Sequence, residues 1–444
     1  MNRSKLTFFL LGKKYGFNLA KTLAFVKDSQ YWSKEQITAY QNKHLQQLIT
    51  HAYNNVPYYT KQFNALNLKP SDIKTKEDLH KLPIINKKIV ADNFNDFLAK
   101  DFKERKTLRR HTGGTTGLAF EFYNDVKSWA INWAVKKRAF EWGKYVVGKD
   151  KLAVLAGGSL LPQDGMGLKD RLWRYLQNFH SMPITKMTPE IMHKYVLELK
   201  ENKIQFLRGY PTAVYTLAKY MVNNNLKVPL TSIFTTAEML YDYQRETMRE
   251  AFGCEVYDWY GCGDGVGNAL QCSKHEGFHI SFETSIFEII KNDGNEANDE
   301  EKGEVVLTSL HDYAMPFIRY APGDIAIKGN DNCECGRKLT RINKIVGRSS
   351  DIIEFSNGIT LNGLSIPFEA WTDKISKFQI VQVEKDSVEV LFIPTKGFTE
   401  QDTQAALDIM KYQCGEGVNI KISLVKKIPT PKSGKFRYVI SKVS

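Results

Sequence analysis

Residues 232–264 read SIFTTAEMLYDYQRETMREAFGCEVYDWYGCGD, and this stretch decides the fold. A short apolar run, Ser232 to Thr236, ends in Ala237 and Glu238. Helical spacing then holds from Tyr241 to Phe252, and a second apolar run, Glu255 to Trp259, ends in Tyr260–Gly261–Cys262–Gly263–Asp264. Strand, helix, strand in that order predicts neighbouring parallel strands in a layered α/β sheet. Ligands of open α/β sheets bind at the carboxyl ends of the strands. Both strand ends carry a carboxylate there, Glu238 and Asp264, which suits Mg-nucleotide chemistry.

The same alternation extends upstream. Strand Leu118 to Tyr123, helix Val126 to Trp142, strand Leu152 to Ala156, helix Pro189 to Glu201, strand Ile204 to Leu207 and helix Thr212 to Val222 follow one another. Before them lies a helical opening segment, 1–105, with clear spacing over Ile37 to Tyr53 and a turn at Asn55–Val56–Pro57. After Tyr260 the helices stop. Phe278 to Ile290, Gly303 to Ser309 and Pro316 to Tyr320 read as strands of an antiparallel region, about 265–346, with an acidic exposed loop at Asp293 to Lys302. Beyond Gly347–Arg348–Ser349–Ser350–Asp351 come strands Ile352 to Phe355, Phe378 to Val383 and Val388 to Ile393, helix Glu400 to Tyr412 and strand Val418 to Leu424. The expected organisation is a large layered α/β domain, 1–350, and a small α+β domain, 351–444.

Composition sets the class. Of 444 residues 42% are hydrophobic, 25% charged and 12% aromatic, which excludes a disordered or collagen-like chain. Sixty-two Lys and Arg against 49 Asp and Glu give a formal charge of +13, favouring an anionic partner. The basic clusters, Lys103 to Arg110, Lys136 to Arg138 and Lys426 to Arg437, are short and read as solvated positive surface. With no RNP aromatics, zinc-finger spacing or basic helix, nucleic acid is not the expected partner. Six cysteines and no secretory signal point to the cytoplasm. The run Phe8 to Leu11 is broken by Lys13–Lys14, too short to span a bilayer. The stretch Lys5 to Lys27 reads as a helix packed on the body, so membrane contact is peripheral at most.

Four loops carry candidate chemistry. His111–Thr112–Gly113–Gly114–Thr115–Thr116–Gly117, preceded by Arg109 and Arg110, offers amides and hydroxyls to phosphate or forms an ordinary turn. It lacks the Gly–Lys–Ser/Thr ending of a Walker A loop. Tyr260 to Asp264 is a nucleotide-facing loop, in which Tyr260 can cover a base and Asp264 can hold Mg²⁺, or a tight turn with a capping Asp. Pro316 to Asp324 ends in a carboxylate able to accept from ribose hydroxyls, or is a plain hairpin. Pro429 to Arg437 presents Lys435 from a Ser–Gly pair, as a charge-neutralising group or as an exposed solubilising lysine. Separately, Cys272–Ser273–Lys274–His275 and Cys333–Glu334–Cys335–Gly336 supply the Cys₃His set of a structural zinc site, with His279 competing with His275 for the fourth place; free thiols are the alternative.

Taken in order, these motifs resemble the adenylate-forming superfamily of acyl-CoA synthetases, peptide-synthetase adenylation domains and luciferases. Ala52 to Tyr59, Leu82 to Lys87, Gly209–Tyr210–Pro211 and Cys333 to Arg337 are similar to the phenylacetate–CoA ligase branch and its CapK-like members. The resemblance implies a C-terminal domain that moves about Asp351. It implies that Thr112 to Gly117 hold the ATP phosphates, that Ala237 and Glu238 lie at the nucleotide, that Tyr260 and Gly261 adjoin adenine, that Asp324 binds ribose, and that Arg348 contacts the nucleotide. Lys435 and Asp264 would serve adenylation, the latter through Mg²⁺. The implied reaction joins a carboxylic acid to ATP, then passes the acyl group to CoA, a carrier thiol or an amino sugar in polysaccharide biosynthesis. AMP transfer and an idle nucleotide-binding scaffold are the alternatives, and a homodimer is within the branch's range. Three departures stand out: Asp264 replaces the usual Glu, Leu118–Ala119 lacks the frequent proline, and Lys338–Leu339 stands where zinc-type members place a His.

Overall fold

Capped helices open the computed structural model, which describes residues 9–10, 12–13, 17–111, 121–157, 178–184, 187–262, 266–348, 353–361, 368, 371, 374–429 and 436–443. Helix α1, Leu19–Ser29, starts where the Asn18 side chain accepts from the Lys21 amide at 3.0 Å. Helix α2, Lys34–Asn55, starts from a Ser33/Gln36 capping box. Helix α3, Pro57–Ala65, places its proline at N1, where no amide is needed. The buried faces of α2 and α3, including Leu45, Leu48, Ile49 and Phe63, share one core with Ile286, Leu307 and Ile318 of the antiparallel region. Helix α1 packs Leu23 and Val26 against Ile131, Ala134 and Val135 of helix α4, Val126–Trp142, so the basic amphipathic stretch covers the body as expected over these residues.

The central sheet has thirteen strands among the described residues. Its parallel half runs in the order Phe179–Pro183 (β5), Leu152–Ala156 (β4), Phe206–Gly209 (β6), Ser232–Thr236 (β7) and Glu255–Gly261 (β8). Helices α5 (Pro189–Glu201), α6 (Pro211–Asn223) and α7 (Asp242–Phe252) connect these strands. Polarity changes at β8, which pairs antiparallel with β9, Asn268–Leu270. The sheet continues through β10 (Phe278–Ile280), β15 (Arg341–Arg348), β14 (Asp324–Lys328), β12 (Lys302–Ser309), β13 (Tyr320–Ala321) and the edge strand β1 (Ile85–Asn86), with β11 (Ser285–Ile290) on β12. The shift after Tyr260 was legible in the sequence, but it happens inside one sheet.

Several expectations change. The run Phe278 to Ile290 is two strands, because Ser281 to Thr284 turn inward to bring the Glu283 carboxylate to Arg138. Of the expected strand Pro316 to Tyr320 only Tyr320 pairs, as the first residue of β13. The Tyr59 hydroxyl donates to Pro316 O and accepts from the Ile318 amide, each at 3.0 Å, while Arg319 is left-handed (φ 52°) and buries its guanidinium 3.1 Å from Glu288. Of the expected strand Leu118 to Tyr123, residues 118–120 lie outside the described residues, and the pairing strand β3 is Glu121–Asp125, bound to β2, Thr107–His111. Strands β2, β5, β14 and β15, with little alternation, went unread. Arg138, read as part of a solvated cluster, is instead buried at 1% exposure against Glu283.

The final part of the chain has its own core. Strands Asn419–Leu424 (β20), Ser387–Pro394 (β19), Ile375–Glu384 (β18) and Val439–Ser441 (β21) form a sheet in that order, covered by helix α8, Glu400–Cys414. Phe355, Phe368, Phe378, Phe392 and Met410 fill it. A short pair, Ile353–Glu354 (β16) with Thr360–Leu361 (β17), precedes it. Among the described residues no helix is long and apolar enough to cross a membrane.

Candidate active site

Strand register brings the nucleotide-site candidates together. β14 and β15 pair Asp324 with Arg348, and the Arg348 Nε lies 3.3 Å from Asp324 Oδ1. From the end of β8, the Tyr260 hydroxyl donates to Asp324 Oδ2 at 2.7 Å. Both carboxylate oxygens are thereby fixed before any ligand arrives, the preorganisation that selective hydroxyl recognition requires. Burial, then the Asp324 charge, pushes the Tyr260 phenol well above its ordinary range, so it remains a donor. Gly261 beside it is closely approached by the Trp259 side chain. A Cβ there would stand 3.0 Å from the Trp259 indole Nε1.

Glu238 sits where β7 ends. Its Oε2 accepts from the Thr212 hydroxyl (2.6 Å) and amide (3.1 Å) at the start of α6. Its Oε1 accepts from the Phe436 amide of the C-terminal part at 3.1 Å. The preceding Ala237 is left-handed, φ 72°, a conformation that turns the chain sharply enough to aim Glu238 back at α6. Tyr241 and Tyr438 pack edge to face at 5.6 Å beside this latch. Thr112, Gly113, Gly114, Thr115, Thr116, Gly117, Asp264, Asp351 and Lys435, for which the sequence implies roles, lie outside the described residues. Phe436, next to Lys435 in sequence, is described and reaches the site.

The cysteines gather, with a change of partner. Ligand atoms of Cys272, His279, Cys333 and Cys335 all lie within 4.8 Å of one another. Cys272 and Cys333 sulfurs are 3.7 Å apart, and Cys335 Sγ is 3.3 Å from His279 Nε2. A tetrahedral zinc with Zn–S of ~2.3 Å spaces its ligand atoms by about 3.5–3.8 Å, so the set fits the metal. His279 enters as the middle residue of β10, with Nδ1 3.4 Å from the Leu339 carbonyl and Nε2 toward the sulfurs. His275 faces elsewhere: its ring lies 3.0 Å from Glu255 and 3.4 Å from Arg245, and its φ of 57° turns it off the strand direction. The fourth place thus goes to the alternative His. Burial pushes the Cys272 thiol up to about 12; at Cys335 burial acts the same way but the Arg337 N–H groups outweigh it and lower the thiol.

One group of cations was misread. Lys136 and Lys137, expected on a solvated surface, turn toward the sheet from α4 and meet Arg208 of β6 among Trp259, Phe140, Trp133 and Tyr145. Burial, then Arg208, pushes both lysines down to about 7. The sequence signal was faint: two adjacent lysines within a helix most of whose residues, Ser128, Asn132 and Arg138 among them, are buried.

Comparison with known proteins agrees with this architecture. A family model described as the CapK C-terminal domain matches residues 354–442. Protein CapK of Staphylococcus aureus is 25% identical over 411 residues, covering 91% of this chain and 89% of the relative. Phenylacetate-coenzyme A ligase of Escherichia coli (strain K12) is 26% identical over 372 residues, covering 78% of each chain. Among solved structures, 2-hydroxyisobutyryl-CoA ligase in the postadenylation state with R3-HIB-AMP matches with a TM-score of 0.71 at 20% identity, covering 94% of this chain and 93% of that one. The same enzyme in the thioesterification state, with 2-HIB-AMP and CoA, matches at 0.60 and 19% identity with the same coverage. With relatives that span most of its length and a fold that follows that of an acyl-CoA ligase, the chain is similar to CapK and to the phenylacetate–coenzyme A ligases.

Proposed function

We propose that the protein activates a carboxylic acid as its acyl-adenylate and transfers the acyl group to CoA, or to another thiol or an amine, in the assembly of surface polysaccharide. The observation that carries this reading is the fixed Asp324 carboxylate, held by Tyr260 of β8 at 2.7 Å and by Arg348 at 3.3 Å, with the Glu238–Phe436 bond following the neighbouring strand β7. Asp324 accepts from the ribose hydroxyls, and Tyr260 lies along the base. The loop Thr112 to Gly117 takes the phosphates. An oxygen of the acid attacks the α-phosphorus, the bond to the bridging oxygen breaks, and pyrophosphate leaves with that electron pair. Lys435, which the Phe436 contact supports as a neighbour of the site, neutralises charge gathering on the leaving group. Mg²⁺ held by Asp264 screens the triphosphate when bound. In the second step the acceptor sulfur or nitrogen attacks the acyl carbon, AMP departs with the C–O electron pair, and the acceptor proton passes to solvent. The better match to the postadenylation form than to the thioesterification form, 0.71 against 0.60, supports an adenylation-type arrangement of the C-terminal part.

The Cys272–His279–Cys333–Cys335 set is proposed to hold a structural zinc, since four protein ligands leave no open position for chemistry. ATP–pyrophosphate exchange over aryl, short fatty, hydroxy and amino acids tests the function, with Asp324→Ala as control. Exchange with one class of acid, lost in the variant, is expected. A protein that binds ATP but exchanges with no acid would instead be an idle nucleotide binder or an AMP-transferring enzyme.

A further inference from the structure

Three cations meet beneath α4 without a carboxylate among the described residues to balance them. Lys136 Nζ lies 4.7 Å from the Trp259 ring centre, and the Arg208 guanidinium 5.1 Å from that ring and 5.7 Å from Phe140. Lys137 Nζ lies 5.3 Å from Phe140, 5.6 Å from Trp133 and 5.8 Å from Tyr145. All three keep partial contact with solvent, so the cluster is open to a ligand. Two donors inside it are buried and unpaired among the described residues: Arg208 Nε and, on a side chain 8% exposed, Trp259 Nε1. Arg110, just before the phosphate loop, adds positive potential at Lys136. The acids on these elements are engaged elsewhere: Glu141 of α4 with Lys27 (2.5 Å), and on β8 Glu255 with Arg249 (2.5 Å) and Asp258 with Thr235 (2.7 Å).

Aromatic faces soften cations but do not neutralise them, and buried charges are ordinarily paired. Like charges drawn together at the carboxyl ends of parallel strands therefore mark the place of an anion. Side chains alternate along a strand, so Trp259 and Tyr260 serve opposite faces at the end of β8. The nucleotide contacts lie with Tyr260, and the cations with Trp259. We propose that the acid activated by this protein carries a second anionic group, a carboxylate, phosphate or sulfate, received by Lys136, Lys137 and Arg208. This assignment rests on the adenylation reading and names its substrate class. Both lysines are pushed down to about 7 by burial and by Arg208, so an arriving anion also draws protons onto them near neutral pH.

The test is calorimetric titration of the full chain with succinate, glutarate and 3-phosphoglycerate, beside butyrate as the singly charged control, in Lys136→Met, Arg208→Met and the unmodified protein. Methionine keeps the volume and removes a poorly solvated charge, so folding is retained, as thermal melting will report. At least one dianion is expected to bind tenfold or more tighter than butyrate, with proton uptake at pH 7.5 read from buffers of different ionisation enthalpy, and each variant to lose that preference. Equal binding of dianions and butyrate, or dianion binding untouched by both substitutions, overturns the proposal. Loss of ATP affinity in the variants with acid preference intact assigns the cations to the triphosphate and overturns it too. In pyrophosphate exchange, activity with singly charged acids alone removes the proposal and keeps the adenylation reading. Exchange with no acid removes the adenylation reading itself, and the calorimetry then reports whether the cations still bind an anion.

Discussion

Ala237 holds a conformation that glycine adopts freely and an L-residue adopts at a cost of about 1–2 kcal/mol. It is held there because Glu238, the next residue, is bound at both oxygens. Ala237→Gly should therefore raise stability or leave it unchanged, relief of strain offsetting the ~0.5–1 kcal/mol entropy cost of glycine, whereas Ala237→Val should lose about 1–3 kcal/mol; urea unfolding of the pair decides. His311 gives a pH signature. It is 2% exposed, its Nε2 lies 3.0 Å from both Tyr40 Oη and the Glu283 carbonyl, and burial first, then His44 and Lys127, lowers it to about 3. The unfolded chain protonates this ring below about pH 6.5 while the folded chain does not, so its contribution to stability is lost as pH falls from there toward 3. His311→Gln should flatten the fall between pH 6.5 and 4.5 by up to ~1.4 kcal/mol per pH unit, measured by unfolding at several pH values. At this scale the sequence singles out Asp324, Tyr260 and Glu238 as residues but not the strain at residue 237. Backbone strain arises from what surrounds a residue, and an alanine between a strand and a loop has no signature of its own.

Helix α4 and the strands around the cysteines show the same limit one level up. The bounds of α4 were legible from periodicity, yet its lysines and Arg138 were read as facing solvent. Charge suggests exposure only while the partner is unknown, and Glu283 lies 145 residues away. Glu283→Gln leaves the Arg138 guanidinium buried without its counter-ion and should cost about 3–5 kcal/mol. Arg138→Met with Glu283→Leu should recover much of it, a contrast that thermal denaturation of single and double variants will display. In the antiparallel region, β10 carries His279 inward while His275 leaves the path of the chain before the strand begins. Cys335→Ser and His279→Ala should each bring zinc from about one per chain to near zero by elemental analysis, with a lower melting temperature. His275→Ala should retain the metal. A chain with no zinc before mutation would remove the metal assignment.

The whole molecule turns on the bond between Phe436 and Glu238, which joins the two cores in one arrangement. If that arrangement serves adenylation, Lys435→Ala should slow pyrophosphate exchange by about 10²–10³-fold, the scale of one charge-stabilising group. If the C-terminal part moves between the half-reactions, transfer from a presynthesised acyl-adenylate to CoA should be far less affected. Equal losses in both half-reactions would show that one arrangement serves both steps. The division into a layered sheet and a small C-terminal sheet was legible because each has its own alternation of strand and helix. That the parallel and antiparallel strands form one continuous sheet was not, because the join is the antiparallel pairing of Trp259 with Leu270.

The sequence by itself determined the local elements and the order of motifs: the β7–α7–β8 unit, the acids at its strand ends, Asp324 after its turn, and a Cys₃His inventory. Hydrophobic period and turn chemistry act over a few residues, so they are written where they act. Tertiary structure alone decided which histidine joins the sulfurs, which cations turn inward, and where Phe436 docks. Each depends on groups tens to hundreds of residues apart, whose meeting is set by strand register and packing, and a period states that a face is buried without stating against what.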